Sequence, residues 1–310
     1  MNCVNPMAAV YDEYTGKYRF IGAANTFRSG NDYLHDKTQK IVYVPCGQCY
    51  ACRVARSRDW ATRCVLEARA YGDKNSFITL TYDDEHLPSD MSLHKEDFQK
   101  FMKRLRKNTG QKIRYFMCGE YGSLFERPHF HACLFGYKPD DLQLWSVREG
   151  VKLYRSPMIE KCWKFGFSTV GDVTYESAAY VARYVLKKMT GECAEEHYHG
   201  RLPEYTNMSL KPGIGTAYFE RYCQETYERD YVIIRDGIKC KVPRYFDDIY
   251  DRYYGEGAFD ADIKSKRALL SNQQFDQTPQ EFTLKRIEER AVAIETSAKQ
   301  SLKRRLEEVT

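Results

Sequence analysis

His129 and His131 stand one residue apart in the run RPHFHACLF, residues 127–135. Successive side chains of a β-strand alternate between faces, so the two imidazoles share a face with Cys133, while Phe130, Ala132 and Leu134 share the other. The second face is wholly apolar and is expected to meet the core, leaving the histidines pointing outward, toward a groove or solvent. Side chains two apart on one strand face lie roughly 6–7 Å apart, close enough for both to reach one metal ion. Two imidazoles seldom complete a site, and the preceding segment IRYFMCGEYG offers a third ligand. Six residues, 122–127, separate Tyr121 from Pro128, which is hairpin spacing. Folding the chain about residues 124 and 125 sets Glu120 opposite His129. A carboxylate beside two imidazoles suits Mn2+ or Mg2+. The H-x-H spacing alone is equally compatible with paired histidines on a half-exposed strand.

A second group lies on the segment TYESAAYVARYVLKKMT, residues 174–190, which has the periodicity of a helix. At about 100° per residue, Ala178, Ala179, Val181, Ala182, Val185, Leu186 and Met189 gather on one half. Tyr180 and Tyr184 fall on the other half, beside Arg183, Lys187 and Lys188. Phenols next to ammonium groups are candidate nucleophiles toward phosphate; the competing reading is a surface tyrosine pair. A phenol is a weak nucleophile and needs an activated phosphodiester, which a divalent ion on a non-bridging oxygen provides. Lys187, one turn from Tyr184, would stabilise the phenolate or the transition state. The products would be a phosphotyrosine link and a free 3′-hydroxyl.

Cys46, Cys49 and Cys52 form C-x-x-C-x-x-C, half of a familiar structural zinc site. The second C-x-x-C is missing. Cys64, on the helix that follows, would complete a tetrahedron, unless the fourth ligand is distant or the thiols simply line a tight turn. The chain has 11 cysteines and no secretory pattern, so it is expected in a reducing cytosol, where clustered thiols are tested as metal ligands before disulfides. Cys118, Cys133 and Cys162 read as small core residues.

No run of about 18 apolar residues occurs, which argues against a membrane helix. The net charge of +5 is mild, but eight cations fall between Lys95 and Arg114, and the chain holds 25 tyrosines and 16 phenylalanines. Cations hold phosphates and rings stack on bases, so this suits nucleic acid, against the alternative of a solvated basic helix.

The elements that must position these groups follow from pattern. Residues 50–71 read as a helix, SFITLTY (76–82) as a strand, and LHKEDFQKFMKRLRK as an amphipathic helix with Phe98, Phe101, Met102 and Leu105 on one face. Two hairpin strands, a short helix in PMIEKCWKFG, the strand FSTVGDV and the tyrosine helix follow. The order predicts an α+β fold, an antiparallel sheet with helices on one face. Residues 1–45 read as irregular, with strand-like pieces such as KIVYVP. Residues 46–250 are expected to form the functional domain, and 251–310 a charged tail with helical spacing from Thr278. KPGIGTAY, from Lys211, reads either as a turn or as a close backbone approach to DNA.

SFITLTY, RPHFHACLF and YVARYVLKK occur in the order of the three motifs of rolling-circle replication initiators, and the chain resembles those HUH endonucleases. Two tyrosines three residues apart followed by lysine look like the two-tyrosine initiators of small single-stranded-DNA phages. PCGQCYACR, KPGIGTAYFERY and VPRYFDD resemble the gokushovirus branch of the microviruses, and the likeness spans roughly residues 40–248. The resemblance implies an RRM-like HUH fold, with the H-x-H strand in an antiparallel sheet and the tyrosine helix packed against it. It implies a divalent ion on His129 and His131, with Glu120 placed as third ligand. It also implies nicking of the viral strand at the origin, a 5′-phosphotyrosine, a 3′-hydroxyl primer and later closure of the displaced strand into a circle. Tyr180 and Tyr184 would alternate, Tyr184 taking the first nick because of its spacing to Lys187. No G-x-x-x-x-G-K-[ST] loop is present, so a host helicase and a host polymerase are implied partners, in the host bacterial cytoplasm. Two other readings stay open. A zinc-stabilised DNA-binding regulator would not need tyrosine and lysine on one polar helix face. A metal-dependent phosphodiesterase using water would need more carboxylates around the histidines.

Overall fold

The computed structural model describes Cys3 and residues 6–15, 17–23, 34, 38–122, 125–148, 150–187 and 193–267, with 292, 293 and 296. Side chains at 148, 184–187 and 193 fall outside the described set. The chain divides into two compact units, one formed by Met1–Arg56 with Thr278–Thr310 and the other by Ser57–Gln277.

In the first unit, β1 (Met7–Asp12), β2 (Tyr18–Ala23) and β3 (Gln39–Val44) pair antiparallel in the order β2-β1-β3. The segment read as irregular therefore carries a sheet. Its strands were hard to see because Ala8, Ala9 and Val10 are all buried and do not alternate with polar residues. Helix α1 (Tyr50–Ala70) begins in this unit and continues into the second.

The second unit is built on a seven-stranded sheet. Its elements are β4 (Asn75–Tyr82), α2 (Lys95–Thr109), β5 (Arg114–Tyr121), β6 (Pro128–Phe135), β7 (Gln143–Arg148), β8 (Val151–Arg155), α3 (Pro157–Cys162), β9 (Gly166–Gly171), α4 (Tyr175–Lys187), α5 (Cys193–Tyr198) and β10 (Tyr205–Met208). Then come α6 (Thr216–Arg229), the short pair β11 (Val232–Ile233) and β12 (Lys239–Cys240), α7 (Arg244–Tyr254) and a π-helical turn, Asp260–Lys264. The sheet order is β10-β5-β6-β4-β9-β8-β7, antiparallel throughout. Its centre, β5-β6-β4-β9, with α2 between β4 and β5 and α3 before β9, is a split β-α-β-β-α-β arrangement.

The hairpin forms as expected: β5 ends at Tyr121, β6 starts at Pro128, and Glu120 lies opposite His129. Helix α2 buries Phe98, Phe101, Met102 and Leu105, the face read from periodicity. Glu96 and Asp97 in its first turn and Arg106 and Lys107 in its last suit the helix dipole, and Gly110, at φ 67°, closes it with an N–H bond to the Arg106 carbonyl. Two of its cations are occupied: Arg104 donates to the Cys162 carbonyl and Arg106 to that of Ile113.

Helices cover both faces of the sheet rather than one. Ile78, Leu80, Phe130, Ala132 and Leu134 pack with α2 and α3. On the other face Phe116, Cys118, Cys133 and Phe135 pack with Ala61 and Cys64 of α1 and Ala178, Val181 and Ala182 of α4. A third cluster joins α6 and α7 to Leu66. Strands β7, β8 and β10 were not anticipated; Leu144, Trp145, Val147 and Val151 of the β7–β8 ribbon are exposed, so no apolar face announces it. The tail expected to be helical from Thr278 lies outside the described residues, apart from three positions.

KPGIGTAY is a packed turn. Glu67 and Arg114 are buried and paired at 2.6 Å. Arg114 donates to the carbonyls of Pro212 and Gly213 at 2.8 and 3.1 Å, and the Gly215 N–H donates to Glu67 at 2.7 Å. Gly215 has φ 96°, and a Cβ on Gly213 would collide with the Tyr245 hydroxyl, so both positions require glycine for structural reasons. This ion pair ties α1, β5 and the turn together. Removing one partner strands a buried charge, so Arg114→Ala is expected to lower stability by about 3–5 kcal/mol in urea unfolding, whereas replacing both partners with leucine or methionine costs much less.

Candidate metal centre and tyrosine

The β5–β6 register and the alternation of β6 bring Glu120, His129 and His131 onto one sheet face. Glu120 Oε1 lies 2.7 Å from His129 Nε2 and 2.8 Å from His131 Nε2. One ligand atom from each of the three residues falls within 4.8 Å of the others. The rings meet edge to face with centroids 4.9 Å apart.

The far nitrogens are held too. His129 Nδ1 is 3.0 Å from the Arg127 carbonyl, which can only accept, so Nδ1 carries the proton. His131 Nδ1 is 2.9 Å from Thr79 Oγ1 of β4, where Thr79 is the register partner of His131. Anchoring one ring nitrogen and presenting the other is how proteins aim histidine at a metal. With its proton on Nδ1, a neutral His129 turns a lone pair on Nε2 toward a carboxylate oxygen. Two acceptors at 2.7 Å repel unless a cation or a second proton lies between them. Among the described residues, Glu120 Oε2 is also buried with no hydrogen-bond partner. The donor set, its convergence and this unsatisfied oxygen fit a divalent cation.

Burial pushes the Glu120 carboxyl up, but hydrogen bonds and charge from His129 and His131 outweigh that and hold it down at about 2. It is therefore an anionic ligand at neutral pH. Cys133 shares this face, fully buried, and burial pushes its thiol up to about 12, so it stays a packed thiol.

The histidines are not turned to solvent as expected. His129 is 8% and His131 3% exposed. Alternation shows which residues share a face but not whether that face is covered, and here α1 and α4 cover it. The same layer changes the reading of Tyr180. Small residues at Ala178 and Ala182 let α4 lie close on the sheet, so Tyr180 is half-buried rather than exposed. Its hydroxyl donates to Glu120 Oε1 at 2.8 Å, and its ring packs edge-on against His131 at 4.8 Å. Tyr184 and Lys187 stand on the same helix, one and two turns further on, and their side chains lie outside the described residues.

Cys64 does not join the other cysteines. It is fully buried with Cys133 between α1 and the sheet, and burial pushes its thiol well up. The residue grouped with Cys46, Cys49 and Cys52 is Cys3. No spacing rule could select it, since 42 residues separate it from Cys46. Thr79, inside SFITLTY, was also missed, because its role depends on the β4–β6 register.

Losing a group that orients a metal-bound histidine typically costs 10–100-fold in affinity. Thr79→Val is accordingly expected to weaken Mn2+ binding by about tenfold or more in titration calorimetry, with stability little changed.

A family model for replication-associated proteins of the ORF2 type matches residues 75–189, the span from β4 through α4 that carries this whole site. The chain is 38% identical over 242 residues to the replication-associated protein VP4 of Bdellovibrio phage phiMH2K, covering 74% of this chain and 75% of that one. It is 36% identical over 262 residues to the replication-associated protein ORF2 of Spiroplasma virus 4, covering 79% and 80%. It is 31% identical over 264 residues to the replication-associated protein ORF4 of Chlamydia phage 1, covering 81% and 65%. No solved structure matches the chain. With about three quarters or more of the chain aligned to these relatives, it belongs to the replication-associated protein family of the gokushovirus-like microviruses.

Proposed function

We propose that this protein initiates viral DNA replication as an HUH nickase-ligase acting on the single-stranded phage origin. The observation that carries the reading is the 2.8 Å hydrogen bond from the Tyr180 hydroxyl to Glu120, the oxygen on which both histidines converge. It sets a phenol beside a candidate metal centre, as phosphodiester attack requires. A regulator that only bound DNA would have no use for that juxtaposition.

Glu120, His129 and His131 would hold Mg2+ or Mn2+, which when bound polarises the phosphodiester and offsets charge in the transition state. Glu120 orients the Tyr180 phenol. Arg127 and Thr79 fix the imidazoles, and α1 and α4 exclude water. The phenol oxygen attacks phosphorus, an O–P bond forms, and the bond from phosphorus to the 3′ oxygen breaks. The leaving oxygen takes a proton and becomes the 3′-hydroxyl primer, while the 5′ end stays on tyrosine. In closure, a 3′-hydroxyl attacks the phosphotyrosine and the phenol leaves and is reprotonated. Tyr180 and Tyr184 share these roles. The spacing to Lys187 favours Tyr184 for the first nick, and the bond to Glu120 favours Tyr180.

Host helicase and polymerase would supply unwinding and synthesis in the bacterial cytoplasm. No helix among the described residues is long and apolar enough to cross a membrane.

The test uses 3′-labelled oligonucleotides tiling the viral strand, Mn2+ and a denaturing gel. A covalent protein–DNA band is expected with the wild type. It should be lost in the Tyr180→Phe/Tyr184→Phe double variant and slowed about 10²-fold or more by Glu120→Ala. The single phenylalanine variants assign the first attack. Cleavage without the band would establish the hydrolase instead, and binding without cleavage the regulator.

A further inference from the structure

A second ligand group lies in the first unit. The sulfurs of Cys3, Cys46, Cys49 and Cys52 all fall within 4.8 Å of one another, with Cys3 and Cys49 3.8 Å apart. A disulfide would need about 2 Å. Four thiolates around zinc at about 2.3 Å lie on tetrahedron edges of about 3.8 Å. The sulfurs are thus spaced for a shared ion and not for a bond to each other.

Backbone N–H groups point at the sulfurs, as they do where thiolates must be stabilised. Cys46 N–H donates to Cys3 Sγ at 3.2 Å and Cys49 N–H to Cys46 Sγ at 3.3 Å. Gly47, at φ 75°, makes the turn between Cys46 and Cys49. Arg56 donates to the Gly47 carbonyl at 3.4 Å and closes the turn from α1.

The unit also needs a staple. Its buried apolar residues, among those described, are Cys3, Ala8, Ala9, Val10 and Ala51, none with a large side chain, while Tyr14, Tyr18, Phe20 and Tyr43 are exposed. So little apolar burial does not hold a small unit together, and such units ordinarily rely on metals or disulfides. In a reducing cytosol a metal is the available choice.

We propose that Cys3, Cys46, Cys49 and Cys52 bind one structural Zn2+ as a closed tetrathiolate, with release of the thiol protons. The ion ties the chain start to the turn between β3 and α1 and supplies the stability that the small core does not. A four-sulfur shell leaves no position for substrate, so the ion takes no part in phosphodiester chemistry.

The test measures zinc in full-length protein expressed with added zinc and purified without chelator. Wild type, Cys64→Ser and His129→Ala are expected to retain about one zinc per chain, and Cys3→Ser to lose it. Because a misfolded Cys3→Ser would also lack zinc, two further readouts are used. Cys3→His, which restores a ligand, should retain zinc. In the wild type, a mercurial reagent should release zinc as four thiols are titrated, and hydrogen exchange should then rise in β1–β3 while β5 and β6 stay protected. Absence of zinc from the wild type, full zinc in Cys3→Ser, or loss of zinc in Cys64→Ser would each overturn the proposal.

Discussion

Three groups converge on one carboxylate oxygen: His129, His131 and the Tyr180 phenol all lie within 2.8 Å of Glu120 Oε1. Each arrives from a different level of the structure. Glu120 meets His129 through hairpin register, His131 follows through strand alternation, and Tyr180 comes down from a helix in another layer. A one-residue slip between β5 and β6 would send Glu120 to the opposite face. The register is held by the apolar residues that β5 and β6 bury on both faces.

This dependence explains the alanine-rich face of α4. Alanine offers little hydrophobic burial, but its small size lets the helix backbone sit low on the sheet. A bulkier residue at Ala178 or Ala182 would lift α4 and withdraw the phenol from Glu120. The buried Glu67–Arg114 pair works toward the same end, since it fixes α1 and the turn before α6 around β5. Both helices that cover the histidines thus pack against the sheet that carries Glu120, and α1 is anchored to β5 itself.

Local features of the site were legible in the sequence because their causes are local. The H-x-H pair, the Glu120 partner, the boundaries of the hairpin and the buried face of α2 all follow from period and loop length. The number of layers did not follow. The outward face of β6 was expected to be open because its histidines are polar, yet helices cover it, and polar groups buried there satisfy one another. Tyr180 was assigned to the exposed half of its helix for the same reason: a helical wheel knows the apolar stripe but not how close the helix lies to its neighbour. Thr79 and Cys3 were invisible because each contributes through a partner distant in sequence. The N-terminal sheet lacked the alternation that marks a strand, since β1 buries three small residues in succession.

The account rests on Glu120, His129 and His131 holding one divalent ion beside the tyrosine. The most direct measurement is an anomalous difference map from crystals soaked in Mn2+. The account predicts a single strong peak bounded by His129 Nε2, His131 Nε2 and the Glu120 carboxylate, with the Tyr180 hydroxyl next to it. A peak bound by other residues, or none there at saturating Mn2+, would contradict it.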